Sequence, residues 1–175
     1  MHRETLLVDG YNVLGYLGQM NDGGATALAD HRDVLIHRLD DYCGYTGCEC
    51  VLVFDGHHAR KNPGMQLQIG GSTVVYTKSN LSADRYIEKL TGLLIKQGKV
   101  VRVASGDALE QSLVFSLGAL RMPVRELLED MQSIVEESKR YRHSGDRNRM
   151  ERQMDAAAYA HLENIRQGKE GDDAV

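Results

Sequence analysis

Four acidic residues, Asp9, Asp55, Asp84 and Asp107, stand where apolar, strand-like sequence gives way to polar sequence. Thr5-Leu6-Leu7-Val8 precedes Asp9, Cys50-Val51-Leu52-Val53-Phe54 precedes Asp55, and Val100-Val101-Arg102-Val103-Ala104 leads through Ser105-Gly106 to Asp107. A further run, Thr73-Val74-Val75-Tyr76, is followed by a helical stretch that opens near Asp84. Singly, each acid has a structural explanation as a turn former or helix cap. Jointly they raise an electrostatic problem. Two carboxylates about 4 Å apart repel by roughly 1 kcal/mol in water and roughly 4 kcal/mol at an effective dielectric near 20. Lys78 or Arg85 could offset part of that, and a divalent cation offsets more. Hard oxygen ligands without a convergent Cys or His set favour Mg²⁺ or Mn²⁺ over zinc. Mg²⁺ bound by few carboxylates completes its shell with water and phosphate oxygens, so the substrate expected here is a phosphate ester.

The elements that must position these acids alternate strand with helix. Ala27 to Cys43 carries apolar residues at 28, 35, 39 and 42, a helical stripe that Gly44 would stop. The segment from Gly56 to Gly64 reads as a loop from its Pro and Gly content. Ser82 would cap a helix running to Gln97, with Leu90, Leu93 and Leu94 inward and Gly98 closing it. Residues 108 to 117 give a shorter helix, Pro123 suits the first turn of another, and a last helix is expected from Arg147 to Arg166. Crossover helices return the chain to the same edge, so an α/β fold follows, with a mainly parallel sheet of about four or five strands and helices on both faces. Ligands of such sheets bind outside the strand C-termini, where Asp9, Asp55 and Asp107 fall and where Asp84 arrives on its helix. Glu88, four residues after Asp84, shares that helix face.

Length and charge limit the alternatives. The 175 residues, 42% of them hydrophobic, suit one domain with an ordinary core. A net charge of -4 excludes a general polycation, so nucleic-acid contact must come from local basic clusters. No stretch approaches the roughly 20 apolar residues that span a bilayer and the N-terminus lacks a signal-like core, so a soluble cytoplasmic protein without membrane contact is expected. Cys43, Cys48 and Cys50 fit neither an even disulfide framework nor a paired zinc motif and read as structural thiols. His57-His58 in a polar loop reads as solvent-facing or phosphate-contacting.

An ordered set of motifs then becomes recognisable: Leu6-Leu7-Val8-Asp9-Gly10-Tyr11-Asn12, Val53-Phe54-Asp55-Gly56, and Tyr76-Thr77-Lys78 followed by Ser82-Ala83-Asp84-Arg85-Tyr86-Ile87-Glu88. Ser105-Gly106-Asp107, Gly118-Ala119-Leu120-Arg121 and Arg125-Glu126-Leu127 complete it. Together they resemble the YacP-like branch of the NYN nuclease family, within the PIN-like fold, over roughly residues 5 to 128. The resemblance implies a three-layer core, placed here over residues 1–130; beyond it the residues themselves suggest a C-terminal helical extension over 131–166 and, from Gly and Asp content, a flexible tail over 167–175. The resemblance also implies a metal-dependent endoribonuclease leaving 5′-phosphate and 3′-hydroxyl ends, with Mg²⁺ or Mn²⁺ as cofactor. Some relatives are associated with translation, which points to messenger RNA as substrate and admits the ribosome as partner. Carried over by position, Asp9, Asp55, Asp84 and Asp107 look like catalytic, metal-binding acids. Glu88 and Glu110 stand as secondary candidates for supporting or second-ion roles. Asn12 follows the first Asp and could orient it or donate to a phosphate oxygen.

RNA contacts are expected from Arg60 and Lys61 after Asp55, from Lys78 and Arg85 near the third strand-helix junction, and from Lys139, Arg140 and Arg142 in a C-terminal basic stretch. Tyr11, Tyr16 and Tyr141 could stack bases. A homo-oligomer is not called for. Rival enzymes fare poorly: a haloacid-dehalogenase-type phosphatase wants a second Asp two positions after the first, and dinucleotide binding wants G-x-G-x-x-G where Gly10-Tyr11-Asn12-Val13-Leu14-Gly15 stands. The more serious rival is an inactive RNA- or ribosome-binding module of the same fold.

Overall fold

Strand β1 (Thr5–Asp9) is buried at every residue and runs through the middle of a six-stranded sheet. This computed structural model describes residues 4–20, 23–56 and 63–139. The chain divides into two compact units, Met1–Gln132 and Ser133–Val175, and the sheet belongs to the first. The other strands are β2 (Glu49–Phe54), β3 (Met65–Ile69), β4 (Ser72–Tyr76), β5 (Val101–Ser105) and β6 (Leu120–Pro123), in the order β3-β4-β2-β1-β5-β6. Every pairing is parallel except the β3–β4 hairpin. Thr5 lies level with Glu49 on one side and Val101 on the other, so the ends of β1, β2 and β5 come level at one edge.

The helices are α1 (Gly10–Tyr16), α2 (Gly24–Thr46), α3 (Ala83–Lys96) and α4 (Ala108–Ser116), with α5 over residues 124–132 of this unit. Residues 133–139, in the second unit, are also helical. Alternation along β1 sends Leu7 and Asp9 to one face and Leu6 and Val8 to the other. Leu7, Val53, Val75, Val101 and Val103 pack with Ala83 and Ile87 of α3 and Val114 of α4. Helices α1 and α2 pack on the sheet through β2, and α2 also through β4. The α/β class, the parallel core and the flanking helices agree with the pattern in the sequence.

Several details differ from expectation. The sheet has six strands where about four or five are expected, β3 and β6 lying outside the four apolar runs. Met65-Gln66-Leu67-Gln68-Ile69 alternates as a strand should, but its side chains are exposed or half-buried at an open edge, so no apolar run marks it. Its turn is tied down from α2: Asp40 accepts from the Gly71 N–H at 2.9 Å and the Ser72 hydroxyl at 2.8 Å. Strand β6 has only four residues and absorbs Pro123, which ends the strand instead of opening the helix. Helix α2 passes through Gly44 and stops at Gly47, whose φ of 74° supplies the left-handed closure. Leu93 on α3 is 57% exposed, and Ile87 and Thr91 take the inward places. The helix expected from 147 to 166 and the tail after 167 lie outside the described residues.

Candidate metal centre

The strand order reverses at β1, with β2 and β4 to one side and β5 and β6 to the other, which opens a crevice where the parallel strands end. A cleft of about 470 Å³ sits there, lined by Asp9, Tyr11, Asn12, Gly15, Tyr16, Asp55, Ala83, Asp84 and Gly106. Two of its acids, Asp9 and Asp84, converge with Glu110, which does not itself line the cleft. Asp9 from the end of β1, Asp84 from the first turn of α3 and Glu110 from the first turn of α4 each place a carboxylate oxygen within 4.8 Å of the other two. Asp9 and Glu110 are buried and Asp84 is exposed.

Asp9 is locked from both sides. It caps α1, with Oδ1 accepting the Asn12 backbone N–H at 3.0 Å and Oδ2 accepting the Asn12 carboxamide at 2.8 Å. Burial pushes its pKa up, the Asn12 hydrogen bonds pull it back, and the charge of Asp84 pushes it up again. Asn12 thus orients the first acid. Two glycines leave room for this arrangement. A Cβ on Gly106 would sit 3.0 Å from Asn12 Oδ1, and one on Gly10 would clash with the edge of the Phe54 ring.

Glu110 occupies the third position of α4 with Asp107 as N-cap, the spacing of a capping box. In that motif the Glu reaches back to the N-cap N–H. Here the Ser105 hydroxyl accepts the Asp107 N–H at 3.0 Å, and Asp107 itself accepts the Leu109 N–H at 2.7 Å. Glu110 is released from capping and turns inward, 5% exposed, where neither carboxyl oxygen has a hydrogen-bond partner among the described residues. Burial raises its pKa to about 7; the Ser105 hydroxyl, the next-largest influence, pulls the other way although it makes no hydrogen bond to either carboxyl oxygen, and the charges of Asp9, Asp84 and Asp107 add to the rise. A buried carboxyl with two orphaned oxygens beside two other carboxyls is the donor set of a hard cation. The residues therefore fit a divalent ion held by Asp9, Asp84 and Glu110.

A stability test follows from Glu110. Raising a carboxyl from 4.5 to about 7 makes its ionised form costly, by roughly 3 kcal/mol in the cation-free fold. The protonated form carries no such cost, so the contribution of Glu110 is intact below about pH 4.5 and is lost as pH rises through about 7. Glu110→Gln should accordingly stabilise the cation-free protein in mild alkali, on the order of 1–3 kcal/mol, and leave it nearly unchanged in mild acid. Urea unfolding at both pH values in chelator checks this; equal shifts at both would show that Glu110 is not a displaced titrating group.

The remaining sequence candidates are placed variously. Asp55, half-buried after β2, lines the same cleft. Its loop is pinned where the Gly56 N–H donates to the buried Thr77 hydroxyl at 2.9 Å. Asp107 is exposed, caps α4 and stands outside the three-acid group, though its charge is felt by Glu110. Glu88 is half-buried on α3 and does not line the cleft. Lys78 and Arg85 are exposed, and among the described residues neither pairs with the three acids. Lys78 instead lines a second cleft of about 340 Å³ with Gly64, Tyr76 and Tyr86. Lys139 is exposed on its helix; Arg60, Lys61, Arg140, Arg142, Tyr141 and the His57-His58 pair lie outside the described residues.

Arg32 was not among the sequence candidates. From α2 its guanidinium lies 5.7 Å over the Tyr76 ring and donates to the Tyr11 hydroxyl at 3.2 Å. Tyr76 stacks on Phe54 at 5.4 Å, and Phe54 meets Tyr11 edge-on at 5.2 Å. This links a cation to the wall of the acidic cleft. No spacing rule connects residue 32 to residue 11, so only the folded chain reveals the pair.

The comparisons with known proteins agree with this architecture. The profile of the YacP-like NYN domain matches residues 6–167. YacP of Bacillus subtilis (strain 168) is 39% identical over 131 residues, 75% of this chain and 76% of that protein. Two crystal structures of Rae1 (YacP) from Bacillus subtilis superpose on it. One has a TM-score of 0.68 at 31% identity, covering 98% of this chain and 99% of that one. The other, a single-substitution variant, has a TM-score of 0.66 at 37% identity over 78% and 80%. With the profile spanning nearly the whole chain and the fold and central strand order in place, the protein belongs to the YacP-like NYN domain family, a nuclease-like family.

Proposed function

We propose that this chain is a divalent-metal-dependent endoribonuclease that hydrolyses RNA phosphodiester bonds. The observation that carries the reading is the convergence of Asp9, Asp84 and Glu110, with both Glu110 oxygens left unpartnered among the described residues. Asp9, Asp84 and Glu110 would hold Mg²⁺ or Mn²⁺, and Asp55 and Asp107 extend the acidic rim. The ion, when bound, would supply Lewis-acid activation of water and neutralise charge on the transferring phosphoryl group. The chain's own part is to fix the acids. Asn12 holds the Asp9 carboxylate in one orientation, and Ser105 keeps Glu110 free of the helix terminus. Asp84 stands at the solvent-facing side of the cluster, where a phosphate can approach.

A net charge of -4 means that RNA must be drawn to the cleft by local cations. Lys78, Arg85 and the basic residues after Asp55 serve this role in our reading, with the 139–142 stretch as a further RNA contact. Messenger RNA undergoing translation is the substrate context we propose, by likeness to the family. Incubating purified protein with a long messenger and Mn²⁺ tests the chemistry: internal cuts bearing 5′-phosphate and 3′-hydroxyl ends are expected. Cyclic phosphate ends, or cleavage that persists in chelator, would replace this reading with a metal-independent one.

Asn12→Ala gives a graded test. Loss of the 2.8 Å bond to Asp9 Oδ2 should weaken Mn²⁺ binding about 10–100-fold, as for other partners of metal-ligating groups, with little change in melting temperature. Mn²⁺ titration followed by electron paramagnetic resonance measures this; wild-type affinity would show that Asp9 needs no such support.

A further inference from the structure

The second cleft, of about 340 Å³, lies on the same face of the sheet as the acids. Asp9 sits level with Val53, Val53 with Val75, and Val75 with Gln66, so one row of side chains crosses β1, β2, β4 and β3. Residues directly opposite one another in a sheet share a face, and Val53 and Val75 both pack with Ala83 and Ile87 of α3. The row therefore starts at a buried carboxylate and ends at Val75 and Gln66, which line the second cleft. At about 4.8 Å per strand, Val75 stands roughly 10 Å and Gln66 roughly 14 Å from Asp9. Helix α3 stands between the two clefts. Asp84 and Tyr86, two residues apart, leave its first turns on opposite flanks of the inward pair Ala83 and Ile87. Asp84 meets the acids, and Tyr86 lines the second cleft. Ser82 caps the helix between Leu81, which lines the second cleft, and Ala83, which lines the acidic one. A strand passing the open end of α3 thus touches both.

We propose that the second cleft is a nucleobase pocket, which receives one unstacked base of single-stranded RNA beside the phosphate held at the acids; that placement rests on the nuclease reading. The walls match such a base. Tyr86 is half-buried, packed in part on the core, and presents the rest of its side chain to the cleft, a held surface on which a base can stack. Tyr76 also lines the cleft, but its ring is already engaged by Phe54 and Arg32. Val75 and Leu81 add apolar surface. The exposed Gln66 carboxamide offers both a donor and an acceptor to the edge of the base.

Lys78 is exposed among these residues, and its ammonium suits the phosphate of the same nucleotide. Gly64 lets the chain come close to it. With φ at 83°, a Cβ at Gly64 would lie 2.9 Å from Lys78 Cγ and 3.4 Å from the Tyr76 carbonyl oxygen. A cleft of this volume suits one base with its sugar. A base inside a duplex is stacked and paired and does not enter, so the pocket selects unpaired RNA.

The test uses the full-length chain in chelator and a short single-stranded RNA carrying 5-iodouridine at one position at a time, crosslinked by light and mapped by mass spectrometry. Expected is a crosslink from one position to Tyr86 or to the stretch from Gly64 to Gln66. Tyr86→Ala should weaken binding of the same RNA in chelator by roughly 5–100-fold, read by fluorescence anisotropy. Gln66→Ala, at an exposed edge, should keep the fold and flatten the preference among RNAs that differ only at the crosslinking base. With Mn²⁺, the cut should fall at one fixed spacing from that base. Crosslinks confined to other residues, wild-type affinity in a folded Tyr86→Ala, an unaltered preference in Gln66→Ala, or a cut at varying spacing would each overturn the proposal and leave the nuclease reading in place. A mapped crosslink and weakened variants in a protein that cuts nothing with Mn²⁺ would instead remove the nuclease reading and uphold the base pocket. The wild-type crosslink and Gln66→Ala decide the matter even where Tyr86→Ala folds poorly.

Discussion

Asp9→Asn should reduce divalent-dependent RNA cleavage by at least on the order of 10²–10³-fold while the protein stays folded. Asparagine is nearly isosteric, and its carbonyl can still accept the Asn12 backbone N–H, so the α1 cap survives. The second oxygen becomes an amide nitrogen facing the Asn12 carboxamide, and one negative charge leaves the cluster of Asp9, Asp84 and Glu110. The Asp9 carboxyl also costs something when buried and ionised, so its loss should not lower stability in the absence of cation. Circular dichroism and a melting curve establish the fold, and end-labelled RNA with Mn²⁺ reads the activity. Wild-type cleavage by a rigorously purified Asp9→Asn, Asp84→Asn double variant would remove the nuclease assignment.

The second large effect is structural. Phe54 is fully buried at the end of β2, touches Tyr11 and Tyr76 with its ring, and fills the space that a Cβ on Gly10 would need. Phe54→Ala should destabilise the fold by about 3–5 kcal/mol, the range for a buried aromatic truncated to alanine. In a chain of this size that lowers the melting temperature by roughly 6–20 °C. Gly10→Ala should cost about 1–3 kcal/mol through overpacking against the same ring. The two are in contact and should not add: Phe54→Leu opens space for the new methyl, so the double variant should be more stable than the sum predicts, by roughly 0.5–3 kcal/mol. Chemical denaturation of the four proteins closes the cycle. Strict additivity would mean that the ring moves aside and that Gly10 is not held by it.

Much of this architecture is legible in the chain. Apolar runs ending in Asp9 and Asp55, the Ser82 cap before Asp84 and the glycine stops after helices give the parallel core, because burial on both faces demands continuous apolar strands. Strand β3 escapes notice because its side chains alternate at an exposed edge and its pairing depends on Asp40 of a distant helix. Topology alone brings Asp9 and Asp84 to the same strand ends, and the fold sets their carboxylates side by side. Glu110 is under-weighted, since an acid three residues after an N-cap ordinarily serves the helix; only the position of the Ser105 hydroxyl shows that the capping duty has been taken over. Asp107 draws attention by standing just past a strand, and the fold gives it that capping place.

The three converging acids come from positions 9, 84 and 110, and the parallel order sets β1 between strands made well before and after one another. During synthesis, a nascent chain that has not yet delivered α4 carries two of these carboxylates and lacks the third. A polypeptide abandoned partway therefore lacks the complete set of three carboxylates, which arrives only with a chain long enough to close its own core.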